Sequence, residues 1–357
     1  MQKPLTQNGS RLDTLDYLRG LAATSIMVYH YTSWSEGQIS ATHFLGRMGI
    51  FGVAIFYILS GITLTHVYRN KLELTGNELF SFYKKRVLRI FPLLWAATFF
   101  SIVLSKKLPD SIDVILNLTG LFGFVKWNTY FATGAWSIGN ELVFYSAFPL
   151  LLFAFRKSQT LLLLLIAFIA VCYVYFSFYL IDPAKELGLQ WSLYTNPLNQ
   201  ALFFLSGMAL NWVFHDKLIR RPVVLTLLLS GILLLVFFPT STNITDLVTG
   251  VTRAIFTFSS LLICLSFYKS NYLLPFRLRN VLSFLGRASY SIYLLHPIVY
   301  AVSKVLLNSL FKHYFAIPNF VTALFAGITS LFVSYYSYAY FEVYFINMGR
   351  KNELQIQ

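Results

Sequence analysis

Three ionisable side chains stand out inside long apolar runs of this chain: His30, His296 and the carboxylate Glu141. A histidine beside a carboxylate is the usual pair for general-base chemistry, because the carboxylate orients the ring and stabilises its charged form. An ionisable group among residues that span a bilayer is costly to keep there, so each is a candidate for function. The competing role is an interhelical hydrogen bond or packing contact, which a lone intramembrane histidine often makes.

Arginines supply a second set. Arg19 and His30 are eleven residues apart, so on a helix they project from one face, about 16 Å apart along the axis. That arrangement suits an elongated anion with its head on Arg19 and its tail near His30. The alternative is an ordinary cytoplasmic anchor paired with Asp16. In KKRVLRIFPLLW (84–95), Arg86 and Arg89 are i, i+3, and guanidinium forks suit phosphate. Snorkelling topology anchors would look the same. In SYSIYLLHP, Ser289, Tyr293 and His296 recur at i, i+4 and i+7 and so line one face. Pro297 predicts a kink beside His296. Gly52, Ser60 and Gly61 permit close backbone approach and read as structural.

The elements that position these groups follow from composition. Of 357 residues, 57% are hydrophobic and 12% charged, with mean hydropathy +0.62. Soluble domains sit near 45–50% and about 25%. The numbers exclude a soluble enzyme and a disordered chain, and they point to a polytopic membrane protein. The net charge of +14 lies in short clusters between apolar runs, which argues against nucleic acid as a partner. The first apolar run carries Asp16, Arg19 and His30 and is not followed by a cleavage site, so it reads as a retained span rather than a signal peptide.

About 20 helical residues cross a bilayer core. Ten segments qualify: 15–34, 47–68, 87–105, 134–155, 159–180, 197–214, 222–240, 246–268, 283–303 and 318–341. The short apolar stretch 112–125 reads as re-entrant or interfacial. With the N-terminus in the cytoplasm, inner segments hold 20 Lys and Arg and outer ones 8, as the positive-inside rule requires. The outer eight include Arg47 and Arg253. The expected fold is an all-α integral membrane bundle of ten helices with both termini cytoplasmic, and 1–357 as a single domain. With helix directions fixed this way, His30, Glu141 and His296 are expected at one depth in the outer half. Cys172 and Cys264 fall in apolar runs and read as packing residues. No ligand set completes a metal site around the histidines, so no metal is expected.

At this point the chain resembles the acyltransferase-3 family of integral membrane O-acyltransferases. LDYLRGLAATSIMVYH resembles that family's first-helix signature, GVAIFYILSG its second-helix motif and KKRVLRIFPLLW its basic entry to helix 3. WSIGNELVFYSAFPLL resembles its Trp-Ser-x-x-x-Glu helix, and GRASYSIYLLHPIV its ninth-helix motif. There are departures. Ala54 stands where relatives often carry an acid, and Gly139 and Asn140 where many have Ser and an apolar residue. Some relatives carry a C-terminal extracytoplasmic hydrolase-like domain, which is not expected in a chain ending at Gln357.

The resemblance implies an acyl-CoA-dependent O-acyltransferase of the inner plasma membrane. It would move an acyl group, expected to be acetyl, from cytoplasmic acetyl-CoA to a hydroxyl of an extracytoplasmic glycan or lipid-linked sugar. Arg19, Arg86 and Arg89 would hold the donor phosphates. His30 would be the base or transient acyl carrier, and Glu141 its orienting carboxylate or the base for the sugar. His296, Tyr293, Ser289, Trp136 and Ser137 would line the acceptor side. The competing reading is a lipid-linked-sugar flippase without acyl transfer, to which the outer-half Arg253 lends support. A homo-oligomer is left open.

Overall fold

The computed structural model describes residues 13–270, 274–311 and 316–351. Among them the chain is helical and contains no strand. The first half forms α1 (Asp13–Glu36), α2 (Phe44–Tyr68), α3 (Gly76–Ser105), the short α4 (Ser111–Thr119) and α5 (Phe122–Val125), α6 (Ala135–Lys157) and α7 (Gln159–Tyr175). The second half forms α8 (Trp191–Tyr194), α9 (Pro197–Phe214), α10 (Arg221–Phe237), α11 (Gly250–Lys269), α12 (Phe276–Arg287), α13 (Ser289–Phe311), α14 (Asn319–Tyr336) and α15 (Val343–Lys351).

Each of the ten expected segments falls on helix, but among the described residues seven helices are long and apolar enough to cross a membrane. At 17 residues, α10 is shorter than those seven. The charges of α1, with Asp13, Asp16 and Arg19 in its first two turns, lower its hydropathy. The N- and C-termini, and with them Lys3, Arg11 and Lys312 of the charge tally, lie outside the described residues.

Several boundaries differ from expectation. The third segment starts at Gly76 rather than 87, so the basic cluster sits inside a helix and not at its entry. The ninth is divided at Ala288 into α12 and α13. The stretch 112–125 folds as two short helices, with Asp110 capping α4 through the Ile112 and Asp113 amides and Gly120 (φ 74°) ending it. With Pro297 inside it, α13 runs past the expected end at 303 to Phe311.

The second helix is the hub. Its most apolar window is 78% buried, against 22% for the window that begins in α7. It packs on α9 through two glycines. A Cβ on Gly61 would lie 2.2 Å from the Phe204 carbonyl, and one on Gly207 2.1 Å from the Ile58 carbonyl. Neither backbone can yield cheaply, so both positions need glycine. Gly52 faces α1 less tightly, where a Cβ would meet the end of the Ile26 side chain at 2.8 Å rather than backbone. A similar crossing joins α1 to α12, where Gly20 and Gly286 face each other.

Two arginines counted as outer charges are instead buried structural groups. Arg47 (3% exposed) donates to the Ala41, Leu235, Val236 and Phe238 carbonyls at 2.8–2.9 Å. It thereby caps the C-terminal end of α10, where carbonyls lack helical partners and the dipole favours a cation. Arg253 (2% exposed) donates to Ser177, to the Asn199 side chain and to the Asn199 carbonyl, and lies 4.4 Å over the Tyr173 ring. A guanidinium held this way has a packing role, which removes its support for the flippase reading. Cys172 and Cys264 are free thiols, Cys264 being fully buried.

The glycine crossing yields a direct test. Gly207→Ala should lose about 1–3 kcal/mol by overpacking. Gly327→Ala, where a Cβ would meet nothing within 4 Å, should unfold like the parent. Thermal unfolding of both variants in detergent checks this.

Candidate active site

The site is built where α1, α2, α3, α6 and α13 face one another. A cavity of about 110 Å³ is lined by polar groups from all five, among them Arg19, Ser60, Arg89, Glu141 and Tyr293. Its volume suits several waters.

One end of the cavity is cationic. Arg19 donates to Asp16 (3.1 Å), to the Leu59 carbonyl (3.3 Å) and to the Thr63 hydroxyl (2.7 Å). It is therefore both paired with Asp16 and exposed to the cavity. Arg89 joins it on the wall. Arg86 does not. Its guanidinium lies 4.1 Å over the Phe82 ring and 4.7 Å over Tyr68, and it donates to the Tyr68 hydroxyl at 2.8 Å. The i, i+3 pair thus has two different surroundings. Ser289, buried at the start of α13, also lines the cavity.

On the wall between, Glu141 accepts from the Ser60 hydroxyl and the Tyr145 hydroxyl, both at 2.5 Å. Charge-assisted O–H···O bonds of this length fix the carboxylate firmly. Ser60, read from sequence as a small packing residue, is therefore also a ligand of Glu141. Behind the wall, Glu342 is buried and accepts the single hydroxyl proton of Ser291, so the Ser337 hydroxyl, 3.0 Å from Ser291, donates to it in turn. Glu342 escaped the sequence reading because it lies beyond the expected tenth segment, on the π-helical turn Ser337–Glu342.

The far end is closed by hydroxyls. The Tyr293 and Ser137 hydroxyls are 2.8 Å apart, and each lies 3.0 Å from the Gly134 carbonyl. Each hydroxyl has one proton, so one donates to the other, which donates to the carbonyl. Gly134 has φ 85°, and a Cβ there would sit 3.1 Å from the Tyr293 oxygen. Its glycine identity is thus required twice. Trp136 points elsewhere, packing against Trp191 and Tyr194 at 5.8 and 5.2 Å.

The histidines lie one turn beyond this closure. Neither lines the cavity, but the His296 ring is 6.2 Å from that of Tyr293. His30 Nδ1 and His296 Nε2 are 2.8 Å apart, and His296 Nδ1 is 2.9 Å from the Ile292 carbonyl. Trp34, one turn after His30, stacks within 8° of its plane. Tyr31 donates to the His296 carbonyl at 2.8 Å and meets Ser330 at 2.6 Å.

This chain of contacts fixes the tautomers. A carbonyl can only accept, so His296 Nδ1 carries a proton and donates it. In the neutral ring Nε2 is then an acceptor, which makes His30 Nδ1 the donor. His30 Nε2 is left with a free lone pair. The expected partner of the base, Glu141, is not bonded to either ring. By way of Ser137 and Tyr293 it lies about 10 Å from His296 along the helix axes, so the three groups do not share one depth. Among the described residues no group of three or more His, Cys, Asp or Glu comes together as a metal site.

Nitrogen NMR of histidine-labelled protein, assigned with His30→Asn and His296→Asn, should show both rings as neutral Nδ1–H tautomers. An Nε2–H ring at His30 would contradict the assignment.

Comparison with known proteins gives this geometry a family. The model of an acyltransferase domain (acyltransferase 3) matches residues 12–339. The Bacillus subtilis protein YrhL, provisionally named a peptidoglycan O-acetyltransferase, is 25% identical over 92% of this chain and 55% of its own length. The O-acetyltransferase OatA of Staphylococcus aureus is 25% identical over 90% of the chain and 56% of its own. The peptidoglycan O-acetyltransferase OatA of Listeria monocytogenes is 23% identical, with 86% and 52% covered. The chain thus spans about half the length of these relatives. No solved structure matches it. The match over nearly its whole length shows that this multi-pass, all-helical chain belongs to the acyltransferase-3 family of membrane acyltransferases.

Proposed function

We propose that the chain transfers an acetyl group from cytoplasmic acetyl-CoA to a hydroxyl of an extracytoplasmic glycan, with peptidoglycan the first candidate because its relatives carry that name. The observation that carries this reading is the lone pair left on His30 Nε2 by the His296–Ile292 chain. A ring so oriented is a general base, with His296 and a backbone carbonyl in the place a carboxylate commonly takes.

In this reading ten helices cross the inner plasma membrane with both termini cytoplasmic. The donor phosphates sit on Arg19 and Arg89, whose guanidinium forks suit them. Arg86, held by Tyr68 and Phe82, contributes field rather than contact. The thioester arm enters along the cavity, and the Tyr293–Ser137 closure swings aside to admit it. Those two hydroxyls, released from Gly134, then become donors to the developing oxyanion. His30 Nε2 takes the proton of the acceptor hydroxyl as its oxygen attacks the thioester carbonyl. The C–S bond breaks, and the thiolate leaves with the proton returned by His30. Glu141, tied by Ser60 and Tyr145, keeps the middle of the cavity polar beside the donor arm. Ser289 marks the donor side, and Trp136 supports Ser137 from behind.

Mass spectrometry of cell-wall glycan from a host expressing the chain tests this. The parent should add acetyl mass, and His30→Ala should lower transfer by about 10²–10⁴-fold, the range for loss of a positioned base. Arg89→Gln should raise the donor KM with a smaller change in kcat. Normal transfer by a folded His30→Ala protein would refute the mechanism. Intact acetyl-CoA in the presence of purified parent protein and glycan would refute the acyl transfer.

A further inference from the structure

The helix α12 contributes no residue to the cavity. Leu278, Val281, Leu282 and Leu285 recur at i, i+3, i+4 and i+7 and form one apolar side. Arg279, Ser283 and Arg287 recur every four residues on the other, flanked by Arg277. No acidic residue occurs from Lys269 to Arg287.

Against the described residues, only the C-terminal half of α12 is packed. Gly286 abuts Asp16 and Gly20 of α1 so closely that a Cβ would meet the Asp16 carbonyl at 2.3 Å. The N-terminal half stands clear of the bundle. Phe276, Leu278 and Val281 are 67%, 46% and 53% exposed, and Arg277, Arg279 and Arg287 are all exposed. Arg279 lies 5.7 Å over the Phe276 ring. Large apolar residues left bare beside three exposed arginines match a helix lying in the membrane interface, with its apolar side in the acyl boundary and its cations at the headgroups. Charge complementarity selects anionic headgroups over zwitterionic ones.

We propose that α12 is an interfacial anchor that recruits anionic phospholipid, with Arg277, Arg279 and Arg287 on the headgroup phosphates and the Leu278–Val281 side in the acyl boundary. Only Ala288 separates the anchor from Ser289, so the lipid contact is continuous along the chain with the cavity wall. The proposal does not depend on the chemistry proposed above, only on the chain residing in a bilayer.

The test uses full-length Val281→Trp protein reconstituted in vesicles, with quenching of the parent's own tryptophans subtracted. Brominated phosphatidylglycerol should quench the new indole about twofold or more over brominated phosphatidylcholine at equal content. Arg277→Gln with Arg279→Gln should make the two lipids equal. Inorganic phosphate added to phosphatidylcholine vesicles should change nothing. Leu278→Trp repeats the measurement if Val281→Trp does not fold. Equal quenching by both lipids in the parent background would overturn the anionic preference. Quenching by neither would overturn the interfacial placement and leave the face to a second copy or another protein. A response to free phosphate alone would overturn the lipid as the occupant.

Discussion

The carbonyl of Ile292 can only accept a hydrogen bond, and the polarity of the histidine relay follows from that. It makes His296 donate from Nδ1, makes His30 donate from Nδ1 in turn, and leaves the base nitrogen of His30 open. A carboxylate in the same place would have added a buried charge, whose desolvation is expensive in an apolar bundle. A backbone carbonyl sets the tautomer without that cost. The relay then depends on rigid placement of both rings. Trp34 stacks on His30, while Tyr31 ties the His296 carbonyl to Ser330 of α14. Pro297 has no amide proton, so the Tyr293 carbonyl lacks its usual helical donor at the level where the two histidines meet.

The rest of the bundle keeps other charges from disturbing this point. Arg47 and Arg253 are buried without carboxylates, and their donors are spent on carbonyls, an amide and a hydroxyl. Arg19 and Arg89 open onto the cavity, where an anion can reach them. Glu141 is tied by two hydroxyls between the cationic end and the Tyr293–Ser137 closure. The gradient along the cavity therefore runs from cations, past the tied carboxylate, to neutral hydroxyls, and the two imidazoles lie beyond its far end. An anionic donor would be drawn to one end while its uncharged arm faces the other.

Much of this was legible in the sequence. Apolar runs of the right length located the helices, because burying backbone in lipid leaves few options besides helix. The eleven-residue spacing of Arg19 and His30 placed both on one face of α1, and the i+7 repeat placed His296 beyond Tyr293. What escaped was lateral. Locally, only Phe82, four residues before Arg86, distinguishes Arg86 from Arg89. The difference arises because Tyr68 and Phe82 stand beside only one of them. Depth arithmetic put Glu141 level with the histidines because it took helices as untilted and equal in extent. The Ile292 carbonyl could not be foreseen as the partner, since every residue carries one. The buried roles of Arg47 and Arg253, both counted among the outer charges, escaped because a positive-inside tally cannot see what a guanidinium bonds.

Chemical rescue tests the central claim most directly. In a folded His30→Gly protein, added imidazole should restore acetyl transfer from acetyl-CoA to glycan fragments, and restoration should follow the concentration of neutral imidazole. Pyrrole, similar in shape but without a basic nitrogen, should not restore it. Rescue by both, or by neither while the variant still binds donor, would mean that His30 fills space rather than moves a proton.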